Sequence, residues 1–378
     1  MSNPVDFLPW SDERAAIPFL SFLIGQSSDF PSHDIHPPQL AQWLIAHALG
    51  PLAYHRCRQS YPAISELLQA DIFSATAELA LHRAVLSRLI RAFAETHIPF
   101  VLLKGAALQT IYALPEMRVM SDIDLWISAE HMPQAVQIMT RLGYWLYNKP
   151  DRPVALQMLG EGELQFYRQD GQPGLVELHW LPLAGWWLRR TAQVDFAGMW
   201  ARKVRVTSLE GEVFLLTPED MILQLALHLS VNHQFGLSSL RYLVDMAVVA
   251  REQGVDWQVV VERARDWRVK TAVWLVLSLL SALIPLPGLD DALSKIQPSL
   301  WRRRWLNRFV NPAGILRGID WRNRNGRYLL LLLLVDQPKS ILHLSYRTLW
   351  PEKEWLIARY GANGNHWQHL SQIFRLRV

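Results

Sequence analysis

Phe100-Val101-Leu102-Leu103-Lys104-Gly105-Ala106-Ala107-Leu108 is the stretch on which the reading of this chain turns. Four apolar residues running into Lys-Gly predict a buried strand that stops at a glycine and opens a helix, from Ala106 to about Ala113. The free N–H groups at such a helix start can hold phosphate.

Outward from it comes Arg118-Val119-Met120-Ser121-Asp122-Ile123-Asp124-Leu125-Trp126-Ile127. This block predicts a second strand in which Asp122 and Asp124, at i and i+2, project from one face while Ile123, Leu125 and Ile127 pack the other. Neighbouring carboxylates repel unless solvent or a cation separates them, and paired hard oxygens suit Mg²⁺. Gly174-Leu175-Val176-Glu177-Leu178-His179-Trp180 offers a third acid, with Glu177 and His179 on one strand face and Val176 and Leu178 on the other. Asp122, Asp124 and Glu177 are therefore the candidate metal ligands and catalytic residues.

A hydrophobic strand, a glycine turn, an Asp-x-Asp strand and a later strand acid resemble the DNA polymerase beta-like nucleotidyltransferase superfamily. Leu102-Leu103-Lys104-Gly105, the Arg118 to Leu125 block and Glu177-Leu178-His179-Trp180 are most similar to its bacterial NTP-transferase family 5. The resemblance implies an α+β fold: a small mixed-sheet nucleotidyltransferase core flanked by N-terminal and C-terminal helical regions. It also implies transfer of a nucleoside monophosphate from a nucleoside triphosphate to an acceptor hydroxyl. Two Mg²⁺ ions, replaceable by Mn²⁺, would bridge Asp122, Asp124, Glu177 and the triphosphate. Many superfamily members carry Gly-Gly or Gly-Ser at the turn, where this chain has Lys104-Gly105-Ala106. Backbone N–H groups at Gly105 and Ala106, with Lys104, Arg118 and Ser121, are the candidate nucleotide-binding set.

At 378 residues the chain exceeds a typical single domain, and the expected units are 1–97 (helical), 98–216 (transferase core) and 217–378 (helical). Half of the residues are hydrophobic, 19% are charged and 17 are tryptophan, which excludes a disordered chain. Cys57 is the single cysteine, so an intrachain disulfide and a thiolate zinc site are both excluded, and a reducing cytosol fits. The N-terminus, with Asp6, Asp12 and Glu13, lacks the form of a signal peptide. Residues 271–289, broken by Pro285 and Pro287, and 328–335 fall short of a membrane span and predict buried helices.

Helical periodicity covers 75–96, with Leu79, Leu86, Leu89, Ile90 and Phe93 as its stripe, and 130–142, stopped at Gly143. Residues 163–169 and 175–180 flank Asp170-Gly171-Gln172-Pro173-Gly174, which predicts a hairpin that brings Glu177 into the sheet of Asp122 and Asp124. Thr217 before Pro218 starts a helix, Asp256 caps another over 257–267, and Arg241 and Asp245 stand one turn apart in a third, over 240–250, as an expected ion pair. His179 reads as a satisfied neighbour of Glu177 rather than a ligand, and His228 and His233 lack zinc-site spacing. Ser121 has no nucleophile elbow around it.

Net charge is only +4, and the run Trp301-Arg302-Arg303-Arg304-Trp305-Leu306-Asn307-Arg308 reads as a solvated helix face. The expected acceptor is accordingly a small molecule, peptide or protein hydroxyl, because nucleic-acid binders present broad basic surfaces. Two alternatives stay open: a catalytically silent nucleotide-binding module, and a toxin-type enzyme that modifies RNA.

Overall fold

The computed structural model describes residues 8–10, 14–31, 35–148, 153–168, 175–236, 238–319 and 324–375. Seven strands form one sheet: β1 (Phe100–Leu103), β2 (Asp122–Ile127), β3 (Tyr144–Leu146), β4 (Glu163–Arg168), β5 (Leu175–His179), β6 (Val204–Ser208) and β7 (Gly211–Leu215). Their order is β3-β4-β5-β2-β1-β7-β6. β2 runs parallel to β5 and β1 parallel to β7, while the remaining neighbours are antiparallel. The sheet is therefore mixed, and helices precede and follow it, which makes the fold α+β. β1 lies at the sheet's interior with Val101, Leu102 and Leu103 fully buried, which is why its sequence is continuously apolar rather than alternating. The predicted hairpin is present as the antiparallel pair β4–β5; its turn residues, 169–174, lie outside the described residues.

The long predicted helix spans Gln69–Glu95, and a short 3₁₀ turn leads into Met132–Arg141. Thr217 accepts from the Asp220 amide at 3.4 Å and opens Pro218–Leu227, in which every residue from Asp220 to Leu227 is buried. Asp256 accepts from the amides of Gln258 and Val259 and caps Trp257–Asp266. Pro218–Leu227 packs among Ser239–Gln253, Trp257–Asp266 and Lys270–Leu283. Among the described residues no helix is long and apolar enough to cross a membrane.

Two expectations need correction. The helix after β1 is Lys104–Leu108, five residues rather than the eight expected from Ala106. Amides of Thr110 and Ile111 turn back to Ala107 and Leu108 in tight i−3 bonds, and the Tyr112 hydroxyl is drawn to Asp245 at 2.8 Å. Nor do Arg241 and Asp245 pair, because Asp245 is held by Arg118.

One apolar core runs through sheet and helices together. Trp43, from Pro37–Ala46, is fully buried and donates its indole N–H to the Leu316 carbonyl at 2.7 Å. Trp187 likewise donates to Leu331 at 2.9 Å, so late helices complete the environment of early side chains.

Candidate active site

Register builds the site. Asp124 stands opposite Glu177 across the parallel pair β2–β5 and opposite Leu103 across β1–β2, while Gln165 on β4 stands opposite Glu177. A single row across the sheet therefore carries Gln165, Glu177 and Asp124 and ends beside Lys104, the residue after β1. Two positions along the same strand faces come Glu163 and His179, which are paired with each other, and Asp122 at the start of β2.

Hydrogen bonds lock this row. Lys104 Nζ lies 2.6 Å from Asp124 Oδ1 and 3.6 Å from Glu177 Oε2. His179 Nε2 lies 2.8 Å from Asp124 Oδ1 and 3.5 Å from Glu177 Oε2, and its Nδ1 is 3.3 Å from Glu163 Oε2. Gln165 donates to Glu177 Oε1. Asp124 is 0% exposed, Glu177 5% and His179 3%, so these charges answer to one another rather than to bulk water.

The proton affinities follow. Burial raises the Asp124 carboxyl to about 6 against the opposing pull of Lys104. Burial also works against an ionised Glu177, but the His179 hydrogen bond and the Lys104 charge prevail and hold it below the usual carboxylate range. His179 is disfavoured as a cation by burial, yet its bonds to Asp124 and Glu177 carry it up to about 9, which favours its protonated form. Lys104 is raised above its ordinary value because Asp124 and Glu177 outweigh its burial.

Asp124, Glu177 and His179 each place one donor atom within 4.8 Å of the others. Asp124 Oδ1 is committed to Lys104 and His179, whereas Oδ2 is buried with no partner. Asp122 is half-buried, accepts from the Ser121 hydroxyl at 3.1 Å, and acts electrostatically on Lys104. The Asp124 and Glu177 carboxylates, one Asp124 oxygen buried and unpartnered, fit a hard divalent cation, while Asp122 stands two residues before Asp124 on the same face and outside this cluster.

The structure thus gathers Asp122, Asp124, Glu177 and Lys104, and leaves others elsewhere. Arg118 is buried, with Nε 2.7 Å from Asp245 Oδ1 and a further bond to the Val119 carbonyl. Gly105 is a packing residue: a Cβ there would lie 2.7 Å from Met120 Cβ. Lys104 itself takes a left-handed φ of 46°, and Ala106 is buried in the core. Ser121 is exposed at the edge of β2.

Near the site, Glu163 and Gln165 escaped the sequence reading, and His228 and His233, set aside there as a zinc pair, take another role. Glu163 and Gln165 alternate with buried Leu164 and Phe166, a period-two signal that was legible but not tied to the site. His228, in the π-helical turn His228–Asn232, has Nε2 2.9 Å from His233 Nε2, and the Tyr242 hydroxyl is 3.1 Å from the same atom. Gln234 and Phe235 follow with φ of 50° and 55°. Burial, then the Lys104 charge, lower His233 to about 4. Helix period alone does not announce a π turn.

Comparison with known proteins defines the class: this chain is a nucleotidyltransferase, and so a transferase enzyme. It belongs to NTP-transferase family 5, described as uncharacterised nucleotidyltransferase, whose model matches residues 33–285. Among solved structures it is similar to an antigenic nucleotidyltransferase-like protein from Paracoccidioides brasiliensis, at 15% identity over 56% of this chain and 91% of that one, with a TM-score of 0.35. It is also similar to the lincosamide antibiotic adenylyltransferase LnuA with lincomycin bound, at 13% identity over 42% of this chain and 90% of that one, with a TM-score of 0.29. No curated protein matches the chain.

Proposed function

We propose that the protein moves a nucleoside monophosphate from a nucleoside triphosphate to a hydroxyl of a small molecule, peptide or protein. Asp122, Asp124 and Glu177 would hold Mg²⁺, with Mn²⁺ as a substitute. The observation that carries this reading is the cross-strand pairing of Asp124 with Glu177, with Asp124 Oδ2 buried and unpartnered.

When bound, the divalent cation supplies Lewis acidity that stabilises the leaving pyrophosphate and makes the acceptor hydroxyl easier to deprotonate. The chain's own groups do the positioning. His179 and Lys104 fix Asp124 Oδ1, and Gln165 fixes Glu177, so the carboxylates keep one geometry without reorganising during reaction. Glu177, ionised through the neutral range, is the carboxylate we assign to orient the acceptor hydroxyl beside the cation. Lys104 supplies a cation at the edge of the row, where phosphate charge accumulates.

We place the protein in a reducing compartment, the cytosol. Cys57 is fully buried and its thiol is pushed up to about 12 by burial, so it offers no exposed thiolate.

The test incubates purified protein and Mg²⁺ with each labelled triphosphate against cell protein, a metabolite extract and bulk RNA, with Asp122→Ala as control. Label in protein or metabolite that is absent in the control supports the reading. Label chiefly in RNA promotes the toxin-type alternative, and triphosphate binding without transfer to any fraction promotes the silent module.

A further inference from the structure

Two arginines, Arg118 and Arg241, act on one buried aspartate, Asp245. Asp245 Oδ1 accepts from Arg118 Nε at 2.7 Å and from the Tyr112 hydroxyl at 2.8 Å, which fixes the carboxylate. Arg241 lies one helical turn before Asp245 in Ser239–Gln253, so spacing alone would let it reach the other carboxylate oxygen, which has no partner. It does not: among the described residues the Arg241 guanidinium makes no hydrogen bond and no ion pair, and its Nε is buried. Burial, then the charge of Arg118, lower its proton affinity. Two cations against one anion leave a surplus positive charge where desolvation makes it costly.

That surplus reaches His233, on which the charges of the acid row also act. Arg241 lies 6.0 Å from the ring centroid of Tyr242, whose hydroxyl reaches His233, and the charges of Lys104, Arg241, Asp122 and Glu177 all act on the His233 ring. Ser238, which precedes the helix at φ 72°, makes no side-chain cap bond. Arg241 falls in the first helical turn, where the macrodipole disfavours a cation and favours an anion beside it.

We propose that Arg241 is the phosphate-binding guanidinium of this site and takes oxygens of the nucleoside triphosphate. The inference rests on the transferase reading above and deepens it. Arg241 assumes the duty that the sequence assigns to Arg118, whose charge is committed to Asp245. A planar guanidinium suits the role because it can hold two phosphate oxygens at once.

The experiment is calorimetric titration, with Mg²⁺ present, of sodium tripolyphosphate and the α,β-methylene analogues of the four ribonucleoside triphosphates. Wild type, Arg241→Gln and Arg241→Lys are compared, with thermal midpoints recorded in parallel. Kd is expected to rise about tenfold or more in Arg241→Gln, the worth of one charged hydrogen-bond pair, and to recover partly in Arg241→Lys. The thermal midpoint of Arg241→Gln should equal or exceed that of wild type, since repulsion from Arg118 is relieved. Binding within about twofold of wild type in Arg241→Gln overturns the inference and leaves the transferase reading standing. Weaker binding together with a lowered midpoint makes Arg241 a structural partner of Asp245 and also overturns it. A wild type that binds none of these ligands overturns both readings together.

Discussion

At the scale of single residues, the two acids of the Asp-x-Asp strand are not equivalent. Asp122 is half-buried and bonded to Ser121, so Asp122→Ala should abolish nucleotide transfer at an unchanged unfolding midpoint. Asp124 is enclosed between Lys104 and His179, and its removal takes from both their shortest carboxylate contact. Asp124→Ala should therefore lose activity and about 3–5 kcal/mol of stability as well. Urea unfolding beside a transfer assay separates the two effects, and full activity in Asp122→Ala would remove the metal proposal. Arg118→Ala should also cost about 3–5 kcal/mol, because Asp245 would keep the Tyr112 hydroxyl as its one hydrogen-bond donor and lose its ion pair. Unchanged unfolding in that variant would show that Arg118 is not anchored there. Gly105→Ala pushes a methyl into Met120 and should destabilise by about 1–3 kcal/mol, to be read in the same denaturation series.

At the scale of elements, the end of helix Pro37–Ala46 carries a pH-sensitive contact. His47 Nε2 donates to the Leu316 carbonyl at 2.9 Å in helix Pro312–Arg317, while its Nδ1 is buried without a partner. A second proton would have no acceptor, and burial lowers this histidine to about 4. The unfolded chain, with an ordinary histidine near 6.5, binds that proton more readily, so the contribution is intact above about pH 6.5 and is lost as pH falls towards 4. By pH 5 this should amount to about 2 kcal/mol, and His47→Gln, which can still donate to Leu316, should flatten that part of the stability–pH curve. A variant whose curve matches wild type between pH 7.5 and 5 would contradict this account.

At the scale of the whole molecule, the late helices complete the core rather than decorate it. Asp336 accepts from the amides of Lys270 and Thr271 at 2.8 and 3.0 Å and so caps Lys270–Leu283 from far along the chain. Arg302, from the basic run, donates to the Val335 carbonyl at 3.2 Å, so part of that run has a structural task. A chain ending at residue 297 loses this cap and the carbonyl partners of Trp43, His47 and Trp187, each worth about 1–2 kcal/mol, besides apolar cover. It should unfold at a clearly lower temperature than the full chain in calorimetry, even though residues 33–285 are those the family model matches. Equal midpoints would show that the family region folds on its own.

Strands β1, β2, β4 and β5, the hairpin and the faces that the acids share were legible from residues 100–180 because each is a local pattern, whereas β3 was not read. A continuous apolar run marks an interior strand, and alternation puts Asp122 with Asp124 and Glu177 with His179 on single faces. Thr217 and Asp256 announced their helices for the same reason, since a cap acts on amides two or three residues away. What closes the site was not local. His179 meets Asp124 across 55 positions, Arg118 meets Asp245 across 127, and Trp43 meets Leu316 across 273. Hydrophobic pattern says which face of an element is buried but not which charged side chain will be brought against it; only the register of the sheet and the packing of the later helices decided that Arg118 is neutralised, Arg241 is left over and His179 joins the acids.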